Sequence, residues 1–159
     1  MKITILAVGK IKEKYFTDAI QEYSKRLSRY CKLEILEVAD EKTPDHASQH
    51  EEDLIRAKEG ERLRRYIKDG AYVIALAIDG KQTSSEGFAD KLHELGVRGE
   101  SHIIFVIGGS IGLDAGILRE AKERMSFSQM TFPHQLMRVV LLEQVYRAYR
   151  IINGEPYHK

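Results

Sequence analysis

The sequence predicts an α/β domain, a mainly parallel sheet with helices on both faces. Three observations carry this. Tyr72–Ile78 and His102–Ile107 are short, uninterrupted apolar runs, the pattern of strands covered on both sides. Strand-length apolar segments alternate with segments of helical period along the whole chain. The 159 residues suit one domain with a sizeable core. No repeat, low-complexity tract or linker divides them, so residues 1–159 are read as a single domain.

The elements follow in order. Lys2–Val8 is short, β-branched and apolar, and predicts a strand. Over Glu13–Tyr30, Phe16, Ala19, Ile20, Tyr23 and Leu27 fall on one helical stripe, with Lys25, Arg26 and Arg29 mostly off it. Leu33–Val38 alternates as a second strand. Asp40–Gln49 is polar, contains Pro44 and reads as a loop. Glu51–Ile67 predicts a helix with a thin stripe of Leu54, Ala57, Leu63 and Ile67, weakened by Gly60. Tyr72–Ile78 is a strand ended by Asp79-Gly80. Ser84 or Ser85 can cap a helix through Leu95. After the strand His102–Ile107, Leu113–Arg124 predicts a short helix and Met125–Phe127 a short strand. Pro133 at a first helical position, with Thr131 as its cap, opens the last helix to Ile152. Asn153-Gly154 and Pro156 stop it.

Composition narrows the class. Apolar residues make up 43% and charged residues 31%, which excludes a disordered chain. Cys31 is the only cysteine, so no internal disulfide forms, as suits a reducing compartment. Ile3–Val8 is too short for a signal h-region and lacks a cleavage pattern. No segment approaches the ~20 apolar residues of a membrane span. A cytoplasmic protein with no membrane partner is expected. The net charge of +1 gives no global pull on nucleic acid. The charge is uneven, however. Residues 1–32 hold eight Lys/Arg against three acids, and residues 33–61 hold three against ten. A polyanion would have to meet a local patch. Solvated helix faces explain the same charges equally well.

Four stretches can carry chemistry. In open parallel sheets, ligands bind beyond the carboxyl ends of the strands. Leu76–Gly80 and Ile107–Gly112 are such ends, and Gly108, Gly109 and Gly112 let a ligand approach bare backbone. The spacing is GGxxG rather than GxGxxG, with no acid placed to take a ribose, which argues against a nicotinamide oxidoreductase. A tight turn without any ligand is the plain alternative. Phe127-Ser128-Gln129-Met130-Thr131-Phe132 combines hydroxyls and backbone donors with apolar walls, as an adenosine needs; an ordinary capped loop would read the same. The Pro133–Ile152 helix is apolar on nearly every side, which requires cover on two sides, and a second copy of the chain is the expected source. Arg138 and Arg147 lie nine positions apart, two and a half turns, and so point to opposite sides. The chain ends on Tyr157-His158-Lys159, an aromatic, an imidazole and a cation; a frayed tail is the alternative.

Taken together, FVIGGSIGL at 105–113, FSQMTFPHQLMRVVLLEQVYRA at 127–148 and the terminal PYHK resemble the SPOUT methyltransferases of the α/β-knot superfamily, in particular the branch acting on large-subunit ribosomal RNA. MKITILAVGK and the EGERL of 59–63 extend the resemblance over the whole chain. It implies a C-terminal trefoil knot and S-adenosyl-L-methionine as methyl donor. Leu76, Gly108 and Phe127–Phe132 match the donor-holding positions. It further implies a homodimer that methylates N3 of a pseudouridine in 23S rRNA, with assembled ribosomes as substrate. Methyl transfer is an in-line displacement that chiefly needs the two reactants held in line. It needs no metal, and no Cys/His cluster is present to bind one. The acceptor nitrogen must lose a proton, and His134, Arg138, Tyr157 and His158 are the candidates to assist; Arg138 can instead hold a phosphate. A non-catalytic ribosome- or RNA-binding module of the same fold is the alternative function.

Overall fold

In the computed structural model, which describes residues 1–159, five strands form one parallel sheet: β1 (Lys2–Val8), β2 (Lys32–Val38), β3 (Tyr72–Lys81), β4 (His102–Ile107) and β5 (Glu123–Met125). Their order is β2-β1-β4-β3-β5. The helices are α1 (Lys14–Leu27), α2 (Gln49–Arg64), α3 (Ser85–Val97), α4 (Ala115–Glu120) and α5 (His134–Ile152). None is long and apolar enough to cross a membrane.

Side chains alternate across a strand, so a strand covered on both faces must be apolar at every position. β1 and β4 come close to this, with only Lys2, His102 and the buried Thr4 departing from it. Ile3, Ile5, Ile103 and Phe105 pack under α1, α3 and α5 together with Phe88, Leu92, Leu141 and Val145. Leu6, Val8, Ile104 and Val106 face the other way, against Leu63 of α2 and Ile117 of α4. The expected two-faced α/β architecture is therefore present.

Several boundaries and faces differ from expectation, each for a local reason. β3 runs to Lys81, yet its burial ends at Ala75, and Ile78 is exposed. Met125 pairs with both Leu76 and Lys81, so the residues between bulge around it. The helix expected over Leu113–Arg124 is only Ala115–Glu120. Asp114 caps it by accepting from the Gly116 N–H, and Ala121 turns extended so that the Lys122 N–H bonds Val73 O and starts β5. The short strand is thus Glu123–Met125 rather than Met125–Phe127. α2 begins at Gln49 because Ser48 and Glu51 form a capping box. Its inner face is Glu59, Gly60 and Leu63; Leu54 and Ala57 are exposed. Pro133 is itself the N-cap of α5, with no side-chain cap from Thr131.

α5 lies against the sheet between α1 and α3. Its apolar circumference is accordingly covered on three sides within one chain: Leu141, Leu142, Val145 and Ala148 face inward, while Tyr146, Tyr149, Ile151 and Ile152 pack at the flanks. Cover is incomplete only along the first half of the helix, where Leu136, Met137, Val139 and Val140 are half-buried and a second copy could meet them.

Candidate active site

The carboxyl ends of β3, β4 and β5 frame an open cleft of about 1020 Å³. Three segments build it. Leu76–Asp79 come from the end of β3, and Ile107–Leu113 from the turn after β4. The third segment starts at the end of β5 with Met125, Ser126, Phe127 and Ser128, and continues through Met130–His134. The glycine turn is closed by a bridge between Gly109 and Gly112, whose N–H donates to Gly109 O at 3.1 Å. Gly112 has φ +85°, which a side chain would strain. A Cβ on Gly108 would lie 2.7 Å from the backbone of Gly112, so that turn accepts no larger residue. On the opposite wall, Ser126 Oγ donates to Ser128 O, and the Met130 N–H donates to Ser128 Oγ at 3.0 Å. These bonds hold the loop open ahead of α5. Met130, 73% exposed, and Phe132 stand on the rim.

Of the residues expected to hold a donor, Leu76, Gly108, Gly109, Phe127, Ser128, Met130, Thr131 and Phe132 line this one cleft. Gln129 is exposed and outside its lining. Among the four expected to assist the chemistry, only His134 lines it.

Arg138 is placed where no solute reaches it. It is 1% exposed, and its guanidinium donates to Glu37 at 2.5 Å, Val8 O at 3.1 Å and Gly9 O at 2.6 Å. A planar fork suits this three-way bridge between α5 and the ends of β1 and β2. One turn earlier, His134 sits against Gly9, and its Nδ1 is buried without a partner. Burial, then the nearby Arg138 charge, holds the imidazole below its ordinary value of 6.5. At neutral pH it is uncharged and able to accept a proton.

Tyr157 and His158 lie against α3 and α5, outside their own chain's cleft. The Tyr157 hydroxyl donates to Glu143 at 2.6 Å, its ring meets Tyr146 edge-on at 4.9 Å, and the Arg147 guanidinium covers it at 4.7 Å. Burial and then the Glu143 hydrogen bond push the phenol up to about 12, so it remains a donor rather than a base. His158 reaches Glu86 on α3 at 2.6 Å and Arg147 at 3.1 Å. Arg150 anchors the preceding turn through Glu155 and Pro156 O. The tail is docked, not frayed.

Sequence reasoning missed the charged residues that α2 brings to the cleft, Glu52 and Arg56. Their spacing of four, with opposite charge, was the available signal. Arg56 donates to Ile111 O at 3.0 Å and so braces the glycine turn. It also missed Glu59, which is 4% exposed, accepts from the Glu41 N–H and is pushed up by burial.

A pH effect follows from two half-buried imidazoles. His102 and His134 are both held below 6.5, chiefly by burial. Just below that value the unfolded chain takes up protons that the folded chain refuses, so stability falls as pH drops through this window. Thermal midpoints at about pH 7 and about pH 5 should show the loss, and His134→Asn should flatten it. An unchanged slope in that variant would mean that His134 protonates freely in the fold.

Comparison with known proteins agrees with this geometry. A family model described as "Predicted SPOUT methyltransferase" matches residues 1–158. The protein called Ribosomal RNA large subunit methyltransferase H in Bifidobacterium adolescentis is 66% identical over 159 residues, all of both chains. The protein of the same name in Clostridium beijerinckii is 59% identical, again over the whole of both. Among solved structures, a probable methylase family protein from Haemophilus influenzae superposes with a TM-score of 0.57 at 12% identity, covering 99% of this chain and 70% of the other; at that identity the likeness speaks for the fold alone. With a family match from end to end and full-length relatives well above half identical, the chain belongs to the SPOUT methyltransferase family.

Proposed function

We propose that this chain is an S-adenosyl-L-methionine-dependent methyltransferase acting on N3 of a pseudouridine in 23S rRNA, within assembled ribosomes in the cytoplasm. The observation that carries the reading is the cleft itself: three strand ends bring a glycine turn, hydroxyls, backbone donors and apolar walls together, the donor set an adenosine requires. The names of the full-length relatives supply the RNA class.

When bound, the donor supplies an electrophilic methyl group on a sulfonium that departs as a neutral thioether. The chain's part is to hold, orient and receive a proton. Leu76, Phe127 and the 108–112 turn shape the donor's seat. Neutral His134, at the cleft wall, is placed to take the proton that the acceptor nitrogen loses. Arg138 acts through position, fixing the start of α5 and with it His134. Tyr157 and His158 reach a cleft only if it belongs to a second copy. That supports a homodimer across the half-buried Leu136, Met137, Val139 and Val140. We also read the C-terminal chain as knotted, a reading supported by the family match.

The test is the mass of the target rRNA fragment from cells with and without the gene. A loss of one methyl mass without the gene is expected. Unchanged mass, with salt-sensitive ribosome binding retained, would instead establish a non-catalytic binding module. Deleting Tyr157–Lys159 is expected to lower turnover at least a hundredfold, in the range of one lost catalytic group, while donor affinity measured by calorimetry is kept. Equal loss of both would assign the tail to the donor seat.

A further inference from the structure

The cleft's lining is apolar, hydroxylic or backbone over most of its extent, and that surface suits an adenosine. The donor's other end is an amino acid, a carboxylate beside an ammonium. A carboxylate in a partly enclosed site needs a fixed cation or convergent N–H groups. Arg56 is the only Lys or Arg among the lining residues, and His134 is held neutral.

Three features make Arg56 a built site rather than a passing surface charge. Its side chain is 18% exposed and held from two sides, by Ile111 O at 3.0 Å and by Asp53 at 2.7 Å. A guanidinium has five donors, so others remain for a ligand. Glu52, one helical turn away on the same face, also lines the cleft; its carboxylate forms a loose ion pair with Arg56 at 3.6 Å, too long for a hydrogen bond, so its oxygens can still accept from a ligand's cation. An immobilised cation and a loosely paired anion thus stand side by side on α2, against the glycine turn.

We propose that Arg56 and Glu52 form the subsite for the amino-acid end of the donor, Arg56 taking its carboxylate and Glu52 its ammonium. This rests on the cleft being the donor site. It gives α2 a part in ligand recognition that neither the glycine turn nor the 126–132 loop supplies, and it fixes the direction in which the donor lies.

Two ligands separate this role from a structural one. S-adenosylhomocysteine keeps the amino-acid end; 5′-methylthioadenosine lacks it. Calorimetry on the full chain is expected to show tighter binding of the first. In Arg56→Gln and in Glu52→Gln, affinity for S-adenosylhomocysteine should fall about tenfold or more, as for a lost charge-assisted bond, with 5′-methylthioadenosine unaffected. Glu52→Gln serves as the variant that leaves the fold intact, since Glu52 makes no short bond in the chain. Equal weakening of both ligands in Arg56→Gln, with no effect of Glu52→Gln, would overturn the proposal and leave Arg56 as a brace for Ile111. No weakening in either variant would overturn it as well. If the unaltered chain binds neither ligand, the donor reading itself fails.

Discussion

Gly80→Ala is expected to lower the stability of the fold by about 3 kcal/mol, the upper end for overpacking, and the thermal midpoint by about 10 °C. A Cβ at Gly80 would lie 2.7 Å from both the N and the C of Met125 and 2.8 Å from the C of Arg124. These are backbone atoms, and they have nowhere to go. Ile74–Leu76 pair with them from one side, and the Ser126 N–H donates to Lys81 O just beyond. Relief would require the bulge in β3 to open and β5 to shift, which moves the loop from Ser126 to Phe132. Donor affinity should therefore fall with stability. Thermal and urea unfolding measure the first, calorimetry the second. A midpoint within about 2 °C of the unaltered chain would mean that β3 and β5 are not locked in this way.

Arg138→Leu is expected to cost about 3 kcal/mol, less than a fully buried broken pair because one partner can rehydrate. Glu37 is the partner that recovers, its side chain being 33% exposed. The carbonyls of Val8 and Gly9 lose a buried donor, and those losses are what remain. Arg138→Lys should recover only part, because an ammonium cannot reproduce a planar fork across three acceptors. Glu37→Gln should cost less than either, since an amide oxygen still accepts. Urea midpoints give the order. Arg138→Leu equal in stability to the unaltered chain would show that the guanidinium is not committed to these acceptors and is free for a substrate.

The sheet and most of the cleft lining were legible because their signals are local. Past their first residues, β1 and β4 are apolar but for the buried Thr4, and only strands covered on both faces demand that. The glycine turn and the 127–132 loop announce themselves by composition. What was not legible depends on partners distant in sequence. Arg138 looked like a catalytic cation on a helix; its burial is decided by Glu37, Val8 and Gly9, more than a hundred residues away. α2 misled for a related reason. Leu54 and Ala57 point outward, while Gly60 faces in and allows Asp114 to approach so closely that a Cβ would sit 2.9 Å from it. In a helix whose pattern has almost no period, the i,i+4 spacing of Glu52 and Arg56 was the one sign, and it does not say which face meets the cleft. α5 was apolar all round because α1 and α3 flank it, a cover that only the fold provides.

The place of β1 in the sheet has a consequence for how the chain is made. β1 pairs on one edge with β2, Lys2 opposite Lys32, and on the other with β4, Lys2 opposite His102. During synthesis the first pairing becomes possible early. The second waits until a further stretch of about seventy residues, from Lys32 to His102, has emerged. Over that interval an apolar strand keeps an open edge, the arrangement most prone to join a neighbouring chain. Slow, late completion is the expected behaviour of a sheet with such distant partners. Because the second edge closes only with β4, the glycine turn that follows it takes shape in the same step, so a nascent chain loses its sticky edge as the glycine wall of its cleft forms, and the wall from Met125 to His134 is added last.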